Sequence, residues 1–434
     1  MNLLYANDRR GAYPESWYAA TATPLDPFPS LKGETRADVC VIGGGFTGLS
    51  AALHLAEKGY DVALIEAHRV GFGASGRNGG QASIGQRQDQ NVLERLYGKD
   101  DARRLWDLAL ASVDLVKALI ARHGIDAAWR DGVAHAIWSA NAVAEDHAYI
   151  DRIARDYDYD KAEPLDRASI RALIGSEAFH GGSIDWSSGH LHPLRYALGL
   201  AKAAATAGVR IYETTEAHHV ETRPQPLVRT ARGRIKADHV IFACNGYLGG
   251  LERSTAARVI PINNFILATE PLGDRADEIL SRDIAVADSK FVVNYWRLSE
   301  DKRLLFGGGE SYGDRFPRDI AAVVRKPMLE IYPQLADARI DYAWGGTLAI
   351  TPSRMPYFAR LDGPLWTASG YSGHGVALAT LAGQLIAEAI DGATAGFDVM
   401  AKVRPPAFLG LGLVRRPLLS LAMRWFALRD RLGI

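Results

Sequence analysis

Asp38-Val39-Cys40-Val41-Ile42-Gly43-Gly44-Gly45-Phe46-Thr47-Gly48, then Leu49 to Lys58 stopped by Gly59, then Asp61-Val62-Ala63-Leu64-Ile65-Glu66, is the stretch whose reading decides the fold. The first and last runs are short and apolar, as strands of a parallel sheet covered on both faces are. The run between them is rich in Ala and Leu and ends at a glycine, the pattern of a helix. Strand and helix thus flank Gly43-x-Gly45-x-x-Gly48. Gly43 permits the tight turn, Gly45 lets backbone approach a pyrophosphate, and Gly48 allows close helix–strand packing. The N-terminus of the helix that follows, with its unpaired N–H groups and positive dipole end, suits the diphosphate, and Phe46 and Thr47 of the motif are expected cofactor contacts. Glu66 closes the second strand, with 17 residues between it and Gly48, where an acid accepts hydrogen bonds from the ribose hydroxyls. These glycines also settle a hydropathy ambiguity. Val39 to Ala56 is about 18 residues without Asp, Glu, Lys or Arg, a length that in another context suggests a membrane span.

Outward from this unit comes a second polar glycine loop, Gly71-Phe72-Gly73-Ala74-Ser75-Gly76-Arg77-Asn78-Gly79-Gly80-Gln81, with five glycines. A nicotinamide dinucleotide fold has no need of it. FAD is longer, and its second phosphate, ribityl chain and ring must also be held, so Ala74, Ser75, Arg77, Asn78, Gly79, Gly80 and Gln81 are expected to be cofactor contacts. Near the other end of the chain, Gly370-Tyr371-Ser372-Gly373-His374-Gly375 follows the apolar run Leu365–Ser369 and opens a helix from about Val376 to Ile390. Backbone N–H groups there, with the helix dipole, suit the negative charge of reduced flavin. Gly370, Gly373, His374 and Gly375 join the expected cofactor set, as does Val220. His374 has a second reading as a helix-capping side chain without chemistry.

Dinucleotide-type pieces also recur mid-chain, as a helix from about Pro193 to Ala207, a strand Val209–Tyr212 and a buried strand Asp238–Ala243. Between them the pattern is of another kind: helix to about Arg122, a strand over Gly132–Trp138, more helix to about Gly175, and short strands from Ile260 to about Trp344. The expected architecture is α/β with an α+β second domain. A discontinuous Rossmann-like FAD domain covers 30–90, 165–250 and 345–400. An inserted mixed or antiparallel sheet domain covers 91–164 and 251–344, and 401–434 forms a tail. A chain of 434 residues exceeds what one core usually supports, in keeping with two domains.

Composition narrows the function. Lys plus Arg and Asp plus Glu both number 50, without a basic stripe, which argues against nucleic acid as partner. Cys40 and Cys244 lie in apolar runs, so a disulfide scaffold and an all-cysteine metal site are excluded. The Arg9-Arg10 pair is followed by polar Tyr13-Pro14-Glu15-Ser16 and not by an apolar segment, which reads as a solvated tail and a cytoplasmic setting. Leu418 to Leu428 is an amphipathic run after Arg415-Arg416-Pro417, expected to dock on the protein itself in preference to a membrane surface.

The three glycine-rich places together resemble those of the D-amino acid oxidase-like family of FAD amine oxidases, and the likeness runs from about Ser16 to the C-terminus. Ser16-Trp17-Tyr18-Ala19-Ala20, the Gly71–Gln81 loop, Ser188-Gly189-His190-Leu191-His192-Pro193, Tyr295-Trp296-Arg297-Leu298, Arg303-Leu304-Leu305-Phe306-Gly307-Gly308-Gly309 and Leu428-Arg429-Asp430-Arg431-Leu432-Gly433 are similar to a branch of it acting on γ-glutamylputrescine. The resemblance implies oxidation of a C–N bond by hydride transfer to flavin, reoxidation by O2 with release of H2O2, and hydrolysis of the imine. Its substrate would be γ-glutamylputrescine or a related polyamine derivative. A dehydrogenase passing electrons to a quinone or carrier protein is the alternative, and a flavin-binding module without catalysis is a third reading. Some relatives attach FAD through a cysteine in the C-terminal half. None follows Cys244 here, so the FAD is expected to be non-covalent.

By the same resemblance Tyr295 and Arg297 lie on a strand beside the flavin, and alternation puts both on one face. Tyr371, Trp344 and His190 are further candidates for the pocket, with His374, Tyr371, Tyr295 and Trp344 as candidate catalytic residues. Aromatic walls suit an alkylamine and attract its ammonium form, although plain core packing explains each aromatic as well. Arg354, in Thr351-Pro352-Ser353-Arg354-Met355-Pro356, has two readings: a partner for a γ-glutamyl carboxylate, or half of a structural salt bridge. His190, Tyr295, Arg297 and Arg354 are the expected substrate contacts.

Overall fold

The computed structural model describes residues 2–408. The strand–helix–strand unit forms as its sequence dictates: strand Gly33–Ile42, helix Phe46–Glu57 and strand Val62–Ile65. The two strands are parallel, Val39 facing Val62 and Ile42 facing Ile65. The helix begins at Phe46, directly on the glycine turn and three residues before Leu49. On its other side Gly33–Ile42 pairs in parallel with Gly233–Phe242, which pairs with Leu365–Ser369. Six strands follow the order Tyr357–Arg360, Leu365–Ser369, Gly233–Phe242, Gly33–Ile42, Val62–Ile65, Arg210–Tyr212, and a ribbon of Ala217–Glu221 and Leu227–Thr230 makes the first sheet eight-stranded. Segments from the beginning, middle and end of the chain therefore share one sheet.

Helix Gly375–Ile390 crosses Phe46–Glu57 closely. A Cβ on Gly383 would stand 2.5 Å from both Ala51 N and Thr47 O, and Ser50 Oγ donates to Thr380 O at 2.6 Å. This crossing brings together the N-termini of the two helices that follow the glycine motifs.

The second sheet is nine-stranded, with Ile340–Ile350, Ile260–Thr269, Leu304–Ser311 and Tyr295–Leu298 at one side and Arg130–Ile137 and Gly181–His190 toward the other. Its own core holds Trp296, Phe306, Phe179, Phe265, Met328 and Tyr332, separate from the core around the first sheet. Three sequence expectations change here. Gly181–His190, read within the 165–250 part of the FAD domain, pairs with Arg130–Ile137 and so belongs to the second sheet. Gln81–Ala82 and the end of Ile340–Ile350 also pair there. Gly-Gly-Ser-Ile-Asp-Trp-Ser-Ser-Gly-His carries little apolar alternation. Its glycines serve close approach instead, since a Cβ on Gly182 would meet His135 O at 2.0 Å. The helix expected to run to about Gly175 is two helices, Ala140–Tyr157 and Arg167–Ile174, divided by strand Ala162–Leu165. Asp158, in the left-handed region at φ 54°, ends the first of them, and Pro164 cannot continue a helix. The amphipathic run Leu418–Leu428 lies outside the described residues. Among those described, no helix is long and apolar enough to cross a membrane.

Candidate functional site

A cavity of about 1230 Å³ runs from the glycine turn of the first sheet to the face of the second. At one end the turn is shaped by absent side chains. Gly43 has φ +114°, and a Cβ there would lie 2.6 Å from Ala243 O; one on Gly48 would lie 1.9 Å from Gly43 O. Gly48 therefore lets helix meet strand and does not itself line the cavity. Gly45 caps the helix without a side-chain hydrogen bond, and its own Cβ would press on Ser75 Oγ at 2.8 Å. The Phe46 N–H, at the helix N-terminus, donates to that Ser75 Oγ at 2.9 Å. Gly43, Gly45, Phe46, Thr47, Glu66, Ala74 and Ser75 all line this end.

Glu66 accepts from the N–H groups of Gly44 and His68, each at 2.8 Å. Burial raises its pKa, against the pull of those donors. Each carboxylate oxygen keeps acceptor capacity beyond the one backbone bond. Val220 lies on the nearby Ala217–Glu221 strand but not on the cavity; Ala217, His218 and His219 line it there.

The polar side chains of the 71–81 loop largely hold the loop itself. Arg77 donates to Phe72 O (2.6 Å), Gly345 O (3.1 Å) and Asp8 (3.0 Å), the last a buried ion pair. The Asn78 amide donates to Ala74 O and Ser75 O, and its oxygen accepts from Gly80 N. Gln81 donates to Val286 O at 2.8 Å. Arg77, Asn78, Gly79 and Gln81 line the cavity, whereas Gly80, at φ +80° with a virtual Cβ 2.1 Å from Leu191 O, does not.

At the opposite helix terminus Tyr371 OH and Thr47 Oγ1 are hydrogen-bonded at 2.7 Å, which joins the two glycine motifs. Gly370 (φ +78°) and Gly373 (φ +87°) carry the turn, and Tyr371, Gly373, His374 and Gly375 line the cavity while Gly370 does not. His374 makes no capping hydrogen bond. Its Nε2 donates to Ile84 O at 3.1 Å. Burial, helped by the Arg87 guanidinium, lowers its pKa to about 4, so the ring is neutral near pH 7.

The structure divides the substrate candidates. Tyr295 lines the cavity; its OH donates to Asn264 at 2.5 Å, and its ring occupies space left by Gly79 and Gly307. Arg354 lines it too, with φ 61° and its guanidinium 4.4 Å from the Phe291 ring centre. It forms no salt bridge among the described residues. Arg297, His190 and Trp344 do not reach the cavity. Arg297 shares a face with Tyr295 but clamps the Gly79 carbonyl (2.9 Å) and the Leu191 carbonyl (3.1 Å). His190 is buried with Nε2 3.3 Å from Asp283. The Trp344 indole donates to Arg77 O at 3.0 Å. Sequence reading passed over Arg87, Asn264, Phe291 and Glu310, all cavity-lining. Arg87 lies in an aperiodic polar segment. Glu310 follows the quoted glycine run 307–309, the one signal that pointed its way.

The geometry fits FAD: a glycine turn that leaves a helix N-terminus open, a buried acid one strand away, and a second helix N-terminus joined to the first along the same cavity. Comparison with known proteins agrees. Residues 38–389 match the family model described as FAD dependent oxidoreductase. The chain is 43% identical to a probable oxidoreductase, OrdL, of Rhizobium meliloti, over 96% of this chain and 97% of that one. It is 40% identical to the gamma-glutamylputrescine oxidoreductase of Escherichia coli K12, over 96% of this chain and 99% of that one. Among solved structures, glycine oxidase from Geobacillus kaustophilus superposes with a TM-score of 0.72 at 22% identity, covering 86% of this chain and all of the other.

Proposed function

We propose, from the premise that this chain belongs to the FAD-dependent oxidoreductase family of the D-amino acid oxidase type, that it oxidises the primary amine of γ-glutamylputrescine or a close polyamine derivative. The overall change is RCH2NH2 + O2 + H2O → RCHO + NH3 + H2O2. FAD, bound without a covalent link, supplies the hydride acceptor. The observation that carries this reading is the likeness to the E. coli enzyme along almost the whole of both chains. A cytoplasmic setting belongs to the same reading.

The chain's own residues give the reaction its conditions. An alkylamine must offer its nitrogen lone pair, yet its pKa in water is near 10.4, as for lysine. Walls that desolvate the ammonium favour the neutral form, and Tyr295, Tyr371, Ile84 and Phe291 are such walls. His374 is neutral and a poor proton acceptor, because its burial opposes protonation. In this reading the amine is bound already deprotonated, and His374 is not its general base.

The test is anaerobic mixing of the yellow enzyme with polyamines, γ-glutamylated amines and amino acids, followed by H2O2 measurement under air. Fast bleaching by γ-glutamylputrescine, with one H2O2 per aldehyde under air, is expected. Bleaching by amino acids alone, or aldehyde formed in air without H2O2, overturns the substrate or the acceptor respectively.

A further inference from the structure

Arg87, Arg354 and Glu310, which line the cavity, form a charged group in which no member makes an ion pair among the described residues. Among the described residues neither Arg87 nor Arg354 makes a salt bridge, and the Arg87 Nε is buried without a hydrogen-bond partner. Glu310 accepts one side-chain hydrogen bond, from Tyr312 OH at 2.8 Å. Burial raises its pKa, the charges of both arginines pull it down, and it closes an ion pair to neither. Unpaired charges withdrawn from water are costly, and this group is held in place by tertiary structure. Gln88, next to Arg87, donates to Ser353 O at 2.9 Å, beside Arg354. Arg354 sits in left-handed backbone with its guanidinium against Phe291. Glu310 is the cross-strand neighbour of Asn264, which faces Gly346 on its other side, and all three line the cavity.

We propose that Arg87, Arg354 and Glu310 form a subsite for an α-amino-carboxylate carried at the end of the substrate remote from the reacting nitrogen. The proposal rests on the amine-oxidation reading and names what selects the substrate. A carboxylate offers two oxygens to guanidinium forks, the geometry in which arginine excels. Glu310 then faces the α-ammonium, the remaining charge of the same group. With one anion against two arginines and one cation against one glutamate, each charge of this group gains a partner of opposite sign. A plain diamine would leave both arginines unpaired and bring a second ammonium toward them. The subsite therefore rejects putrescine as well as accepting its γ-glutamyl form.

The experiment compares three amines with wild type, Arg87→Gln and Glu310→Gln. γ-Glutamylputrescine carries both distal charges, glutarylputrescine carries the carboxylate alone, and putrescine carries neither. Arg87→Gln should lower the kcat/KM preference for γ-glutamylputrescine over putrescine on the order of tenfold or more. Glu310→Gln should lower the preference for γ-glutamylputrescine over glutarylputrescine. A second readout needs no turnover: L-glutamate titrated into the enzyme should perturb the flavin spectrum, with a Kd raised by Arg87→Gln. Unchanged preferences in variants with full FAD content overturn the proposal. Loss of FAD from Arg87→Gln would assign that arginine to the cofactor and also overturn it. If no amine bleaches the flavin, the proposed function fails on its own. The L-glutamate titration then still decides the subsite, and equal Kd values in wild type and Arg87→Gln would refute it.

Discussion

His374 shows how position turns a residue type into a role. Its place at the opening of a helix after a glycine turn suits either a cap or a site group, and the side chain caps nothing. It points its Nε2–H at Ile84 O and is kept neutral by burial, with Arg87 adding to the effect. A group with a pKa of about 4 cannot produce a rate change near neutral pH. The rate constant for anaerobic flavin reduction should therefore rise with pH through one ionisation, that of the bound amine, from below its solution value near 10.4. His374→Gln should keep that ionisation even if the rate falls. Stopped-flow reduction measured across pH checks it, and an ionisation absent from the variant would make the histidine a true base. Arg354, Arg87 and Glu310 make the same point. Arg354 is a candidate from its sequence alone, whereas Arg87 and Glu310 are ordinary charged residues there, and only convergence with Arg354 in one cavity marks them.

Among elements, the helix Pro193–Thr206 depends on a histidine cap. His192 accepts from Arg195 N through Nδ1, and its Nε2, carrying the proton, lies 3.0 Å from Thr21 Oγ1. Protonation would remove the Nδ1 acceptor. Burial, then the Arg297 and Arg195 charges, lower its pKa to about 2, while the unfolded chain binds a proton near 6.5. The unfolded state thus holds more protons between these values, and stability must fall as pH drops below about 6.5. The loss attributable to this group should reach about 2 kcal/mol by pH 5. His192→Asn keeps a capping acceptor without the titration. The change in urea-unfolding free energy between pH 7 and 5 should shrink by about that amount in the variant. An undiminished change would place the acid sensitivity elsewhere. Element boundaries were legible where a glycine or an apolar run announced them, as at the Gly59 end of Phe46–Glu57 and over Val62–Ile65, while that helix starts at Phe46, three residues before the expected Leu49. They were not legible at Gly181–His190, whose pairing depends on a partner strand more than forty positions earlier in the chain and not on its own alternation.

At the scale of the whole molecule, the N-terminal segment is stitched across the cofactor end. Asn2 and Tyr5 donate to Glu216, Asn7 to Asp314 O, and Asp8 pairs with buried Arg77, which also holds Phe72 O and Gly345 O. Asp8→Ala leaves a guanidinium buried without its counter-ion, at a cost of about 3–5 kcal/mol. Adding Arg77→Met to Asp8→Ala should recover part of the loss, as measured by chemical unfolding of both variants. Strict additivity would mean that the pair does not couple these regions. The sequence by itself determined the dinucleotide unit, the second glycine loop, the flavin and the family, because these rest on local rules: a turn that only glycine allows, a helix N-terminus, an acid one strand on. Tertiary structure alone decided which of the candidate substrate residues face the cavity. It turned Arg297, His190 and Trp344 into packing and clamping groups, and it gathered Arg87, Glu310 and Arg354 from three distant segments. The physical reason is that a side chain's partners across a sheet or a cavity are set by register and crossing angle, which no short stretch of sequence encodes.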